Sequence, residues 1–420
     1  KTISRNGIIR VNSSSIRCLT FTKVTIFMKK TLLTTLCVMM IINVPAEENP
    51  FFAPFATPHE TAPFDRIRIE HYKPAFEEAM AQQRARIDEI AFNPQAPTFS
   101  NTIEAMEHSG EMLSRVSNVF FNLLSAESND EMMELSQQLS PRLSEHSNYI
   151  YLNESLFQRI KAVYDARHMS HLVPEQIRLT EKYHNDFEQS GATLLPAGKE
   201  KYRFLSTELS KVTLEFGQNN LRETNAYEML LTDKTDLAGL PESLVEAAVA
   251  KVRSKGKEGW LFDLSAPSYL GFMKYSSRRD LREKLYRAYN TKNVMGGPYD
   301  NQENVRKIVN LRLEIARLLG YHTYSEYVLK DRMAKNEKAV FGLLDQLANA
   351  FGPIARQELK DVQAYARQEE GAHFDLQPWD WSYYADKLRE ERFALSDEMT
   401  RPYFELENVK RGVFGLATDL

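Results

Sequence analysis

Between Lys199 and Glu223 the apolar residues Tyr202, Leu205, Leu209, Val212 and Phe216 fall in alternating steps of three and four. That repeat gathers side chains on one face of an α-helix, whereas a strand would scatter them over both of its faces. The pattern recurs along the chain. Pro74 suits a helix start, and Ala75 to Ile90 follows without a breaker. Asn93-Pro94 and Pro97 read as a loop, after which Ser100 is placed to cap a helix with Glu104 nearby. Asp300 or Asn301 can cap a helix carrying Val305, Ile308, Leu311, Ile315 and Leu318, which Gly320 ends. Asn336 can cap another, with Val340, Leu343, Leu344 and Leu347 expected to face inward. Only Tyr227–Thr232 and Trp260–Leu264 are β-prone, the second entered through Lys255-Gly256-Lys257-Glu258-Gly259. The expected fold is mainly α with a small β insertion, a hairpin or sheet. Its boundary is expected near Ala266-Pro267, with Gly296-Gly297-Pro298 a loop in the second part.

With 43% hydrophobic and 26% charged residues, the chain can bury a sizeable core, which excludes disordered, collagen-like and disulfide-stapled classes. Residues 1–46 hold seven basic residues (Lys1, Arg5, Arg10, Arg17, Lys23, Lys29 and Lys30) and no acid. Taking those seven from 53 leaves 46 basic against 57 acidic residues in the remainder, a net of −11. So acidic a body argues against electrostatic binding of nucleic acid or anionic lipid. Met28-Lys29-Lys30, the uncharged run Thr31–Val44 and the small-residue exit Val44-Pro45-Ala46 together read as a secretory signal peptide. Residues 1–27 are then upstream sequence, 28–46 the signal, and the mature protein is periplasmic or secreted, with no stable membrane insertion after signal removal. Both cysteines, Cys18 and Cys37, precede the expected mature start, which leaves no disulfide and no thiolate metal site.

The nine histidines are His59, His71, His108, His146, His168, His171, His184, His322 and His373. None forms the helical His-Glu-x-x-His of a zinc peptidase. His59-Glu60 opens that pattern, but Pro63 stands where the second histidine belongs. His168 and His171, three apart beside a loop, read as surface residues. No Gly-x-Ser-x-Gly elbow and no Gly-rich phosphate loop occurs. The acid pairs Glu77-Glu78, Glu369-Glu370 and Glu390-Glu391 are adjacent, so on a helix they diverge and read as solvated faces. Pro378-Trp379-Asp380-Trp381-Ser382-Tyr383-Tyr384 holds two of the three tryptophans, before a helix that Asp380 or Ser382 could cap. It reads first as a packing cluster and second as an aromatic wall for an extended ligand. Residue types and spacing name no catalytic and no metal residue, and leave substrate contacts unassigned.

Taken in order, several segments resemble a known family. They begin with Pro63-Phe64-Asp65 through His71-Tyr72-Lys73-Pro74-Ala75-Phe76, Thr98 to Ile103, Leu152 to Phe157, Phe187 to Ala192 and Lys211 to Asn220. Tyr275 to Arg279, Leu281 to Tyr289, Leu311-Arg312 with Ala316 to Tyr321, Tyr324 to Tyr327 and Met333-Ala334 follow. Trp379-Asp380-Trp381 with Tyr383-Tyr384, then Tyr403 to Leu406 and Val413-Phe414, complete the series. The chain resembles the thimet-oligopeptidase family of zinc metallopeptidases, and within it the bacterial peptidyl-dipeptidase branch. The resemblance implies a two-part helical body around a deep channel, 47–265 forming an N-terminal helical domain and 266–420 the start of the catalytic domain. It implies zinc as cofactor, short peptides as substrates, release of C-terminal dipeptides, and a monomer. The family's metal motif lies beyond the segment resembling Val413-Phe414, so the catalytic half is expected to be truncated here, with this chain binding no catalytic zinc and inactive alone. Two alternatives stand beside that reading: an oligopeptidase cutting internally, and a non-catalytic helical peptide-binding protein.

Overall fold

The computed structural model describes residues 49–420. The expected upstream segment 1–27 and the expected signal peptide 28–46, with Cys18 and Cys37, lie outside the described residues. The described chain is mainly α, with a single small sheet among those residues. None of its described helices is long and apolar enough to cross a membrane.

Two compact units are described separately. The first comprises 49–79 and 111–123. Helix α1 (Ile69–Ala91) and helix α2 (Glu111–Ala126) contribute to it. Its core is aromatic: Phe51 and Tyr72 lie 5.3 Å apart, and Phe76 meets Phe120 edge-on at 5.6 Å. Arg115 donates to the carbonyls of Phe51 (3.2 Å) and Ala53 (2.7 Å), tying down the entering chain. Pro74 lies inside α1 rather than at its start. The helix begins at Ile69 because burying Tyr72, Ala75 and Phe76 on one face outweighs the hydrogen bond that proline withholds.

The second unit holds 80–110 and 124–420. Thr98, not Ser100, caps the turn at Phe99: its hydroxyl accepts from the Asn101 N–H while the Asn101 amide oxygen accepts from the Thr98 N–H, a reciprocal box. Helices α3 (Asp130–Tyr151), α4 (Glu154–Ala166) and α5 (Pro174–Gln189) follow. Ile87, Ile103, Leu156, Ile160 and Phe187 close the core to which they contribute. Helix α6 (Pro196–Ala226) carries the first-noted stripe, with Leu205 and Val212 buried and Phe216 exposed at its end.

Strands β1 (Met229–Leu231) and β2 (Trp260–Phe262) pair antiparallel, Leu230 opposite Leu261. Helix α7 (Glu242–Ser254) runs between them, so the pair is a sheet bridged by a helix rather than a tight hairpin. Gly259 admits the strand approach: its φ is +106°, and a Cβ there would sit 2.4 Å from the Leu231 carbonyl oxygen. Helices α8 (Ala266–Tyr275) and α9 (Arg279–Asn290) complete a core of Met229, Phe262, Phe272 and Leu285. Gly296-Gly297-Pro298 forms a loop, as expected.

Helix α10 (Gln302–Leu318) starts after Asn301, but the Asp300 carboxylate accepts the Gln302 N–H at 2.8 Å. The Asn301 side chain instead bonds Asn219 (3.1 Å) and the Phe216 carbonyl (3.0 Å) on α6. Helices α11 (Tyr324–Leu329), α12 (Glu337–Glu370), α13 (Trp381–Phe393) and α14 (Leu406–Asp419) end the chain. Asn336 caps α12 as expected, accepting from the Ala339 N–H. The inward placement of its stripe is corrected: Leu343, Leu344 and Leu347 are 59%, 50% and 44% exposed, and Val340 is half-buried. Periodicity marks an apolar face, and only tertiary contact says whether anything covers it. Within α12, burial is confined to Val362 and Ala366, which pack with Tyr383 and Tyr384 of α13.

Candidate functional site

The histidines do not converge. His59 lies in a one-turn helix with φ +57°, and Glu60 follows at +53°, so this segment cannot act as a helical metal motif. His168 and His171 are exposed in one turn, and His322 and His373 are exposed on two other segments. The His71 Nδ1 accepts from the Arg68 N–H. His146 is buried, its Nδ1 accepting from Arg84 (3.3 Å) and its Nε2 facing the Gln83 amide oxygen (2.7 Å). Burial, with the Arg84 charge beside it, pushes this imidazole down to about 4. His184 stacks on Tyr164 at 3.9 Å, and burial pushes it down as well. Both are neutral packing histidines. The three acid pairs are exposed, as read, with Glu370 also accepting from Tyr384 Oη at 2.9 Å.

The densest buried electrostatic assembly lies where α9 meets the start of α13. Asp380 is fully buried. Its Oδ1 accepts from Arg282 Nη2 at 2.8 Å, its Oδ2 from Arg279 Nη2 at 2.7 Å, and Arg279 Nε spans both oxygens at 3.1 Å. The Gln377 N–H adds a bond at 3.0 Å. Arg282, 1% exposed, also donates to the carbonyls of Ser276 (2.7 Å) and Trp379 (3.2 Å), with its guanidinium 4.2 Å from the Tyr383 ring centre. Burial alone would push the Asp380 carboxyl up, but bonds from Arg279, the Gln377 N–H and Arg282 hold it below the usual carboxylate range. Its lone pairs are committed to these donors, which makes it a knot that fixes geometry and a poor general base. Trp379 packs against Tyr286 (6.1 Å) beneath Arg287, and Tyr383 and Tyr384 are buried. The packing reading of Pro378–Tyr384 therefore holds. Reading the residues one stretch at a time missed the arginine partners. Their signal was Arg279 and Arg282 three apart on one helix face.

This α9–α13 region coincides with a match to known proteins. Residues 272–420 match the model of peptidase family M3. The chain is 38% identical over 374 residues to a dipeptidyl carboxypeptidase of Escherichia coli K12, covering 89% of this chain and 55% of that protein. It is 33% identical over 370 residues to oligopeptidase A of Salmonella typhimurium, covering 87% and 54% respectively. Saccharolysin of Saccharomyces cerevisiae is 26% identical over 328 residues, 76% of this chain and 45% of that protein. The chain belongs to peptidase family M3. This is the thimet-oligopeptidase group of metallopeptidases. The M3 chain spans about half the length of the curated relatives it matches.

Peptidases of family M3 are zinc-dependent. Among the described residues, no group of three or more His, Cys, Asp or Glu side chains is placed to hold a metal ion. The carboxylate best held in place, Asp380, has its oxygens taken by guanidinium donors. The described residues do not fit a catalytic zinc site.

Proposed function

We propose that the complete protein to which these residues belong is an exported zinc peptidase that removes dipeptides from the free C-terminus of short peptides. The supporting observation is the 38% identity to a dipeptidyl carboxypeptidase over 89% of the chain. The test is product analysis on a pair of peptides, one with a free C-terminus and one amidated, with and without a zinc chelator. Chelator-sensitive dipeptide release from the free peptide alone supports the reading, and equal cleavage of both overturns it. A second reading, internal cleavage, is favoured by the 33% identity to oligopeptidase A and predicts that equal cleavage.

The same proposal holds that the 420-residue chain alone retains no stoichiometric zinc and hydrolyses nothing. What supports this part is that no group of three or more His, Cys, Asp or Glu side chains among the described residues is placed to hold a metal ion. Zinc-dependent turnover by this chain refutes it. Export through a signal beginning at Met28 completes the proposal. Recovery of a periplasmic protein whose N-terminus lies at Glu47 supports export, and a cytoplasmic protein retaining Met28 refutes it.

A further inference from the structure

Helix α7 is apolar on two sides. Its inner side, Leu244, Ala248 and Val252, packs toward the sheet and α8. Its outer side is a separate stripe: Glu242, Val245, Glu246, Val249, Ala250 and Arg253 recur at helical steps and line a groove of about 630 Å³. That volume lies within the range of small-ligand sites. Leu237 and Leu240, beside the one-turn helix Lys234–Leu237, form the opposite wall. This wall is held in place. Gly239 has φ +88°, and a Cβ there would lie 2.4 Å from the Tyr275 carbonyl oxygen; the Ala238 carbonyl accepts from the Ser277 N–H at 2.9 Å.

The charges that α7 brings to the groove are separated by sign. Glu242 and Glu246 stand toward the first turn of α7, and Arg253 in its last, with Lys234 on the facing wall. Among the described residues none of these four side chains makes an ion pair, although most charged neighbours do: Lys251 pairs with Asp263, and both Lys255 and Lys257 pair with Glu228. The order of charges already suits the dipole of α7. An isolated helix has no need of the apolar stripe between them. From Glu242 to Arg253 the helix rises roughly 16 Å at ~1.5 Å per residue. At ~3.3 Å per residue, an extended chain of about five residues covers that span.

We propose that this groove is a binding site for a short peptide with both termini free, its ammonium toward Glu242 and Glu246, its carboxylate toward Arg253, and its apolar side chains on Val245 and Val249. It depends on the peptidase reading only for the supply of such peptides.

The test is calorimetric titration of the 420-residue chain with an apolar pentapeptide, unmodified, N-acetylated or C-amidated. Each cap is expected to weaken binding about three- to fivefold, the worth of an exposed ion pair, and less so at high salt. In Arg253→Glu amidation is expected to stop mattering, and in Glu246→Lys acetylation is expected to stop mattering. No binding at millimolar peptide, caps without effect on the unmodified chain, or cap effects unchanged in both variants overturns the proposal. So does binding that the complete protein lacks, because its own chain then fills the groove. Failure of the complete protein to hydrolyse peptides would overturn the peptidase reading and leave these binding results standing.

Discussion

Replacing Asp380 by alanine removes the centre of the α9–α13 knot. Arg282, 1% exposed, keeps its carbonyl partners on Ser276 and Trp379 but loses its counter-ion. Arg279 is 43% exposed in its side chain, so water compensates much of its loss. Stranding one buried charge of a pair costs about 3–5 kcal/mol, and the two remaining carbonyls place this case near ~3 kcal/mol. That is a large part of the roughly 5–15 kcal/mol that holds a folded protein. Urea unfolding followed by circular dichroism measures the cost, and hydrogen exchange localises it to 371–393. The double variant Arg282→Met with Asp380→Leu is expected to recover most of the loss, since apolar groups of similar size fill a buried site without leaving a charge. The sign with pH follows from the depressed carboxyl: the knot's contribution is fully present above about 3.9 and is lost as pH falls through the lower folded value. An Asp380→Ala cost below about 1 kcal/mol, or a double variant as unstable as the sum of its singles, refutes the account.

His146, pushed down to about 4, stays neutral in the fold while the unfolded imidazole protonates near 6.5. Stability therefore falls as pH drops from 6.5 to 4, by on the order of 2–3 kcal/mol, and His146→Gln is expected to flatten that slope in urea titrations. Phe272→Ala empties a site that is fully buried beside Phe262 at 4.8 Å, and is expected to cost about 3–5 kcal/mol by chemical denaturation. Gly259→Ala sets a Cβ against the Leu231 carbonyl and is expected to lose about 1–3 kcal/mol, read as a lowered urea midpoint. Leu344→Gln on the exposed face of α12 is expected to change stability by less than about 0.5 kcal/mol; a loss of several would show that this face is covered.

Much of this architecture was legible locally. The three-and-four spacing around Leu205 and Val212 selects a helix because backbone geometry alone decides which side chains share a face. The Asn336 cap and the Gly320 stop are equally local, resting on one side-chain acceptor and one positive φ. Ser100 and Pro74 were misassigned: the reciprocal Thr98–Asn101 box starts its turn two residues earlier, and burial of Tyr72, Ala75 and Phe76 carries α1 back past Pro74 to Ile69. The ordered segments from Pro63 to Phe414 indicated the peptidase family, and the matches to known proteins bear that out.

What the amino-acid order determined by itself was the helical character, several element ends and the family, all properties carried by short windows or by the succession of windows. Tertiary structure alone decided that Asp380 belongs to Arg282, 98 residues away in sequence, and that Leu343 faces outward while Leu205 faces in. Periodicity states that a face is apolar. Only the arrangement of distant elements determines whether that face meets a core, a groove or water.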